Sequence, residues 1–319
     1  MNIKLNQLRI FREVARHNFN VSNAAEALYT SQPAVSAQVA ALEEALGLML
    51  FVRRGKRFLG LTAAGKMLLA KCETILNEVT NLKRMAEDFR EEEKGALVIA
   101  TTHTQARYRL PPVLAVFMQR YPQIQLRVRQ GSPEQIIEAL LNEAVDLSII
   151  TEQAPDDEKL LFLPCYRWNR LIVVPCGHPL TACTPLRIEA LSQYPLVTYD
   201  FVFSKHSSIG EAFAKHGITP NVVLTATDAE VIKTYVRSGF GVGIIAGMGY
   251  DAKQDGDLVP IDGSHLFEAS TTMIAIRKNT HLRRYMYAFI ELFASHLKKE
   301  VVQAALEGKA YFTPSAEIL

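Results

Sequence analysis

Cysteine is scarce in this chain, and apolar runs long enough to span a membrane are absent. Cys72, Cys165, Cys176 and Cys183 are its four cysteines, with no CxxC pair and no zinc-finger spacing. Buried or free thiols are therefore expected, and no metal site. The eight histidines are scattered. A secretory leader is missing as well: MNIKLNQLRIFREV carries charges throughout and enters an amphipathic helix without an apolar core, which argues against export and for a cytoplasmic protein. Catalytic constellations are also lacking. His103 lies among threonines, but no nearby Ser or Cys nucleophile with a third orienting group is recognisable, so no catalytic residue is expected and the chain reads as a non-enzyme. Gly239, Gly241 and Gly243 form GxGxG, yet they follow a helix and lead into an apolar strand, the reverse of the dinucleotide-binding order.

What is present begins with SNAAEALYTSQPAVSAQVAALEEAL, residues 22–46. It reads as two short helices around a tight turn. Ala24, Ala25 and Leu28 supply the packed side of the first, and Val35, Val39, Leu42 and Leu46 recur at helical spacing along the second. Ser31 suits the cap of the second helix, Pro33 falls in its first turn, where a missing N–H costs nothing, and Gly47 follows its end. This leaves Gln32, Ser36, Ala37, Gln38 and Ala40 exposed. Gln pairs bidentately with adenine and Ser with several base edges, so this face suits a major groove, while an ordinary hairpin with a polar solvent face stays open.

The next segment, LFVRRGKRFLGLT over residues 50–62, reads as a basic hairpin carrying Arg53, Arg54, Lys56 and Arg57. Such a wing brings cations to the phosphate backbone beside a groove-bound helix. Up to Thr62 there are eight Lys or Arg against four Asp or Glu, whereas the whole chain is only +2. The candidate DNA-contacting set is thus Thr30, Ser31, Gln32, Pro33, Ser36, Gln38, Arg53, Arg54, Lys56 and Arg57. Thr62 then suits the N-cap of a long helix over residues 63–93. Leu68, Cys72, Ile75, Val79, Leu82, Ala86 and Phe89 alternate steps of four and three along it, a heptad seam that predicts a homodimer.

From Gly95 strands and helices alternate: ALVIATT, a helix near Pro111–Arg120, IQLRVRQ, a helix over Pro133–Glu143, and VDLSIIT. RLIVVP, YPLVTY, NVVLTA and GVGIIA predict a second lobe, after which EASTTMIAIRK and a helix around Leu282–Leu297 return to the first. The expected boundaries are a winged helix-turn-helix over 1–62, the linker helix, effector lobe I over 94–164 plus 268–300, effector lobe II over 165–267, and a C-terminal tail over 301–319. Small molecules bind open α/β sheets beyond the carboxyl ends of strands. There Thr101, Thr102, His103, Thr104 and Gln105 combine hydroxyls and an amide with free helix N–H groups, which suits an anion's oxygens. A hydroxyl-rich capping turn is the competing reading. Ser132 and Thr227 belong to the same candidate effector set, although Ser132 with Gln135 and Thr227 with Glu230 each also fit a capping box. Lys233 and Arg237 read as surface cations or lobe contacts.

The order of these elements resembles the LysR-type transcriptional regulators, and YTSQPAVS, TTHTQARY, PCYRWNR and ATDAEVIKTYV resemble their CysB-like subgroup. The likeness runs from residue 1 to about residue 300. It implies an α/β fold with an N-terminal α-helical winged helix-turn-helix, a dimerising linker helix and a two-lobed, periplasmic-binding-protein-like effector domain. It further implies a regulator of cysteine biosynthesis and sulfur assimilation genes, with promoter DNA and RNA polymerase as partners and a homotetramer as the assembly. The effector implied is O-acetylserine or N-acetylserine, with sulfate or thiosulfate at the same or a nearby site and no cofactor. Site residues of the subgroup carry over to Thr102, Thr104, Gln105 and Thr151, with Thr198 and Ser204 from the second lobe. Two departures stand out: Ala37, Ala40 and Ala41 replace the Lys or Arg frequent in the family's recognition helix, and Ser204 replaces a threonine. A regulator of another pathway with a different effector, and a small-molecule-binding protein without DNA function, are the alternative readings.

Overall fold

The structure, a computed structural model, describes residues 3–55, 57–90, 94–151, 157–200 and 207–309. The expectations placed on Lys56, Ser204, residues 91–93 and residues 310–319 lie outside the described residues. The chain divides into two compact units, residues 1–91 with 279–281 and residues 92–278 with 282–319.

In the first unit, α1 (Leu5–Arg16), α2 (Val21–Ala27) and α3 (Gln32–Leu46) precede a hairpin of β1 (Phe51–Arg54) and β2 (Arg57–Leu61). Each helix start is chemically marked. Asn20 Oδ1 accepts the N–H groups of Ser22 and Asn23 at 2.9 and 3.2 Å, and Ser31 Oγ accepts that of Ala34 at 3.4 Å. Gly47 closes α3 at φ +66°, a left-handed conformation that glycine adopts without steric cost. Phe11, Val14, Val35, Val39, Leu42, Leu50 and Phe51 are almost fully buried. Phe51 stacks on Phe58 with centroids 4.5 Å apart and meets Phe11 edge-on, which seals the wing to the helices.

The linker helix α4 (Ala63–Phe89) starts where Thr62 Oγ1 accepts the Gly65 N–H at 2.9 Å, and Arg90 caps its end. Its heptad seam divides in two. Leu68 and Cys72 pack into the winged unit's own core, so they are not part of a free seam. Farther along, Ile75, Leu82 and Phe89 are 45, 64 and 85 % exposed.

The second unit begins with β3 (Gly95–Thr101), α5 (Leu110–Arg120), β4 (Ile124–Gln130), α6 (Pro133–Leu141), β5 (Leu147–Thr151) and β6 (Leu160–Trp168). Next come β7 (Arg170–Pro175), α7 (Ile188–Leu191), β8 (Leu196–Tyr199), α8 (Ser208–Lys215), β9 (Val222–Ala226), α9 (Ala229–Arg237), β10 (Val242–Ala246) and β11 (Leu258–Asp262). It closes with β12 (Ser270–Arg277), α10 (Arg284–Phe293) and α11 (Lys299–Leu306). Two five-stranded sheets result, ordered β4-β3-β5-β12-β6 and β11-β7-β10-β8-β9. Each has a parallel half, β4-β3-β5 in lobe I and β10-β8-β9 in lobe II, and antiparallel strands that carry the chain between lobes.

The first crossing differs from the expected one. β6 stays paired with β12 from Leu160↔Arg277 to Trp168↔Ser270, so the chain leaves lobe I at Asn169 and not near residue 165. The return lies between Asp262 and Ser270. The tail expected from residue 301 begins later: Val302 and Ala305 of α11 are buried in the lobe I core, which the short segment's weak periodicity did not reveal. The GxGxG stretch is a helix-to-strand turn. A Cβ on Gly241 would stand 2.2 Å from the Pro195 carbonyl oxygen, so close backbone packing requires that glycine.

Candidate DNA-reading surface and effector site

Thr30, Ser31, Gln32, Pro33 and Ser36 are exposed around the start of α3, whereas Gln38 is half-buried. Gln32 Nε2 donates to Ser22 Oγ at 2.7 Å. One amide hydrogen is thereby held, while the carboxamide oxygen and second hydrogen remain for a base edge. In the wing, Arg54 and Arg57 are cross-strand partners, both exposed, with Gly55 at φ +62° in the turn between them.

Arg53 departs from the sequence reading. Its guanidinium pairs with Glu43 and lies 4.9 Å from the centre of the Phe58 ring. Glu43 is only 6 % exposed and also accepts the N–H groups of Leu50 and Phe51 at 2.8 and 3.3 Å. A buried carboxylate requires such partners, so Arg53 serves as the internal counterion of Glu43 within the winged unit. Glu43 itself went unnoticed, although it lies four residues after Val39 on the buried stripe, where a carboxylate signals a paired charge.

The effector unit places the TTHTQ segment at the carboxyl edge of its parallel half-sheet. Thr101 pairs with Gln130 of β4 and Ile149 of β5, so Thr102, Ser132 and Thr151 share one edge. Thr102, His103, Ser132 and Thr151 are half-buried there. Ala106 N–H bonds to Thr102 C=O at 3.0 Å, which puts the N–H groups of residues 103–105 ahead of the first intrahelical bond. Ser132 does form a capping box with Gln135, its Oγ 3.4 Å from the Gln135 nitrogen.

The remaining candidates are placed differently. Thr101 is fully buried and donates to the Ile149 carbonyl at 3.2 Å, and Thr198, equally buried, donates to the Ile244 carbonyl at 3.1 Å. Gln105, 1 % exposed, donates to Thr272 Oγ1 at 3.1 Å and accepts the Tyr166 hydroxyl at 2.5 Å. Thr104 is buried and shares a hydrogen bond with the Tyr199 hydroxyl, which also accepts the Ala246 N–H at 3.1 Å. Buried polar groups must be satisfied, so Thr101, Thr104, Gln105 and Thr198 brace the site and do not open into it, contrary to the sequence reading. Thr227 is exposed and is not the cap of α9: Asp228 takes that place, its Oδ1 accepting the Glu230 N–H at 2.9 Å.

Further side chains, several of them not singled out by the sequence, gather around this edge. Thr104 and Tyr199 make one link across the lobes. Tyr108, between β3 and α5, makes another by donating to Glu230 of α9. Lys233, 1 % exposed, stands 2.8 Å from Glu230 and 2.6 Å from Asp255, and Arg237 continues the chain to Asp255 and Asp257. Lys233 is thus a buried cation and not a surface one, and it meets the other lobe at the Tyr108 ring, whose centre is 5.9 Å from its Nζ. Burial pushes the Tyr108 hydroxyl up, and the adjacent Glu230 carboxylate adds to the rise. Burial alone would raise Glu230, but hydrogen bonds from Lys233 and Tyr108 and the nearby cations outweigh it and hold the carboxyl below its ordinary value. Tyr166 is pushed up to about 12 by burial, against the opposing pull of its hydrogen bonds and Arg109. The Glu230–Lys233 spacing was visible as an i,i+3 pair, whereas Asp255 lies too far along the chain for any local pattern to show it.

Among the described residues no group of His, Cys, Asp and Glu is placed to hold a metal, the four cysteines are free, and no helix is long and apolar enough to cross a membrane. The geometry therefore offers an exposed, groove-sized polar helix with a basic wing, and a two-lobed unit whose strand edges meet around hydroxyls. Comparison with known proteins agrees with both halves. Residues 5–66 match the family of bacterial regulatory helix-turn-helix proteins of the lysR type, and residues 90–298 match the LysR substrate binding domain. The chain is 47 % identical over 300 residues to the HTH-type transcriptional regulator SsuR of Burkholderia cenocepacia, covering 94 % of this chain and 97 % of that one. It is 48 % identical over 303 residues to the HTH-type transcriptional regulator CysB of Haemophilus influenzae, covering 95 and 94 %. The crystal structure of the cofactor-binding domain of the Cbl transcriptional regulator superposes with a TM-score of 0.64 at 37 % identity, over 67 % of this chain and 94 % of that one. The chain belongs to the LysR family of transcriptional regulators, and it is a DNA-binding regulator, not an enzyme.

Proposed function

We propose that this regulator controls genes of sulfur assimilation and cysteine biosynthesis in response to an acetylated serine, O-acetylserine or N-acetylserine, with sulfate or thiosulfate at the same or a neighbouring anion site. The observation that carries this reading is likeness at nearly half identity, through both the DNA-binding and the effector regions, to regulators named CysB and SsuR. The half-buried hydroxyls of Thr102, Ser132 and Thr151 at one strand edge support it, since they suit carboxylate or sulfate oxygens beside helix N–H groups.

Effector binding shifts the balance between arrangements of the two lobes. It can do so only through unequal affinity for them. Homodimers form through the exposed stretch of α4 from Ile75 to Phe89 and pair into homotetramers, so the shift alters the spacing of the DNA-binding heads on the promoter and their engagement with RNA polymerase.

Thermal unfolding of the purified protein against O-acetylserine, N-acetylserine, sulfate and thiosulfate tests this. Saturation at 100 times the dissociation constant stabilises by about 2.7 kcal/mol. An upward shift with one of these ligands, lost in Thr102→Ala while DNA binding persists, is the expected result. No shift with any of them would assign the protein to another pathway. That second reading is favoured by the FVFSKH segment, where Ser204 stands in place of a threonine.

A further inference from the structure

From His17 to Val52, the stretch that forms the helix-turn-helix, there is no Lys or Arg. The wing supplies cations, but any phosphate contact made by this stretch itself must come from neutral donors. One side chain in this stretch has a geometry that no packing among the described residues accounts for. Tyr29 follows the end of α2 with φ +51°. Its N–H bonds the Glu26 carbonyl at 3.0 Å, and the Thr30 N–H returns to the Ala25 carbonyl at 2.9 Å. These are the paired hydrogen bonds of a helix ending whose left-handed residue is normally glycine, because a Cβ there is sterically unfavourable. The ring recovers nothing by packing, for it is 99 % exposed. The local fold therefore holds a bulky aromatic phenol in an unfavourable backbone conformation, wholly in solvent, three residues before Gln32.

We propose that Tyr29 is a phosphate-positioning residue: its O–H donates to a backbone phosphate at the edge of the groove that α3 enters, and its ring covers the neighbouring deoxyribose. The start of α3 exposes Gln32, Pro33 and Ser36, and where that face enters a groove the turn ahead of it meets the groove edge. A neutral donor differs from a cation in one measurable respect. It adds affinity without releasing a condensed counterion, so its loss leaves the salt slope unchanged.

The test uses the full-length protein, a duplex selected by it from a random-sequence library, and an unrelated duplex, each across a salt series. Tyr29→Phe, which keeps backbone and ring, is expected to weaken binding about tenfold on both duplexes with the slope unaltered, the loss of a hydrogen bond to a charged group. Tyr29→Gly is expected to bind at least as weakly while unfolding at a higher temperature than the parent, because the backbone strain is relieved. Asn also tolerates the left-handed region, and Tyr29→Asn provides a folded comparison if the glycine variant is too mobile. Unchanged affinity in Tyr29→Phe would overturn the phosphate contact. So would a loss confined to the selected duplex, which would make Tyr29 a base reader, or a flattened salt slope.

Discussion

The two units of this protein hold their functional side chains in opposite ways. In the winged unit Gln32, Ser36, Arg54 and Arg57 stand in solvent, and one internal contact, Gln32 to Ser22, orients the amide expected to read bases. In the effector unit four residues of the sequence-derived site are already committed: Thr101, Thr198 and Gln105 spend their polar atoms on protein partners, and Thr104 is tied to Tyr199. A surface of the first kind binds by docking. In the proposed mechanism, a site of the second kind responds by exchanging internal hydrogen bonds as a ligand shifts the lobes.

Glu43→Ala would break this comparison most severely. It leaves the Leu50 and Phe51 N–H groups and Arg53 without their acceptor, and the winged unit should lose about 3 kcal/mol, read as a lowered melting transition with the effector transition unmoved. An unaffected winged unit would show that Glu43 is not the anchor of the wing. Gln32→Ala should next cost about 1–3 kcal/mol of discrimination between the selected duplex and its variants, with little change in non-specific binding. Arg54→Ala should do the reverse, weakening all DNA and lowering the salt slope by about one per contact, while Arg53→Ala should destabilise the wing more than it alters that slope. If Arg53 and Arg54 had equal effects on the slope, the counterion assignment of Arg53 would fall.

The smallest expected effect concerns the lobe contact. The carboxyls of Glu230 and Asp255 lie below their ordinary values of 4.5 and 3.8, so their contribution is complete above about pH 4.5 and is lost as pH falls through the lowered values. Tyr108→Phe removes one donor to Glu230, should lower the effector transition by about 1 kcal/mol at neutral pH, and should reduce its loss on acidification. An acid response identical to the parent's would exclude Glu230–Tyr108 as a source of that dependence.

Much of the architecture was legible because its causes are local. Ser31, Pro33 and Gly47 bound α3 by capping chemistry that acts within one turn, and the apolar spacing of residues 35, 39 and 42 named its buried face. Strand β4 coincides with the IQLRVRQ segment, whereas α11 was missed because two turns are too few to display a period. The candidate site was legible only as a place, the carboxyl edge after β3, since strand order follows from alternation. Which of its hydroxyls face solvent was not legible, because burial depends on strands and helices distant in the chain.

The sequence by itself determined many of the elements, the order of the two units and the chemistry available in each, because helix caps, periodicity and turn residues act between neighbours. Only the tertiary structure decided that Arg53 answers Glu43, that Gln105 is held between Tyr166 and Thr272, and that Lys233 is buried between Glu230 and Asp255. Each of these is a buried polar group, and a buried polar group must find whatever partner the folded chain brings within reach.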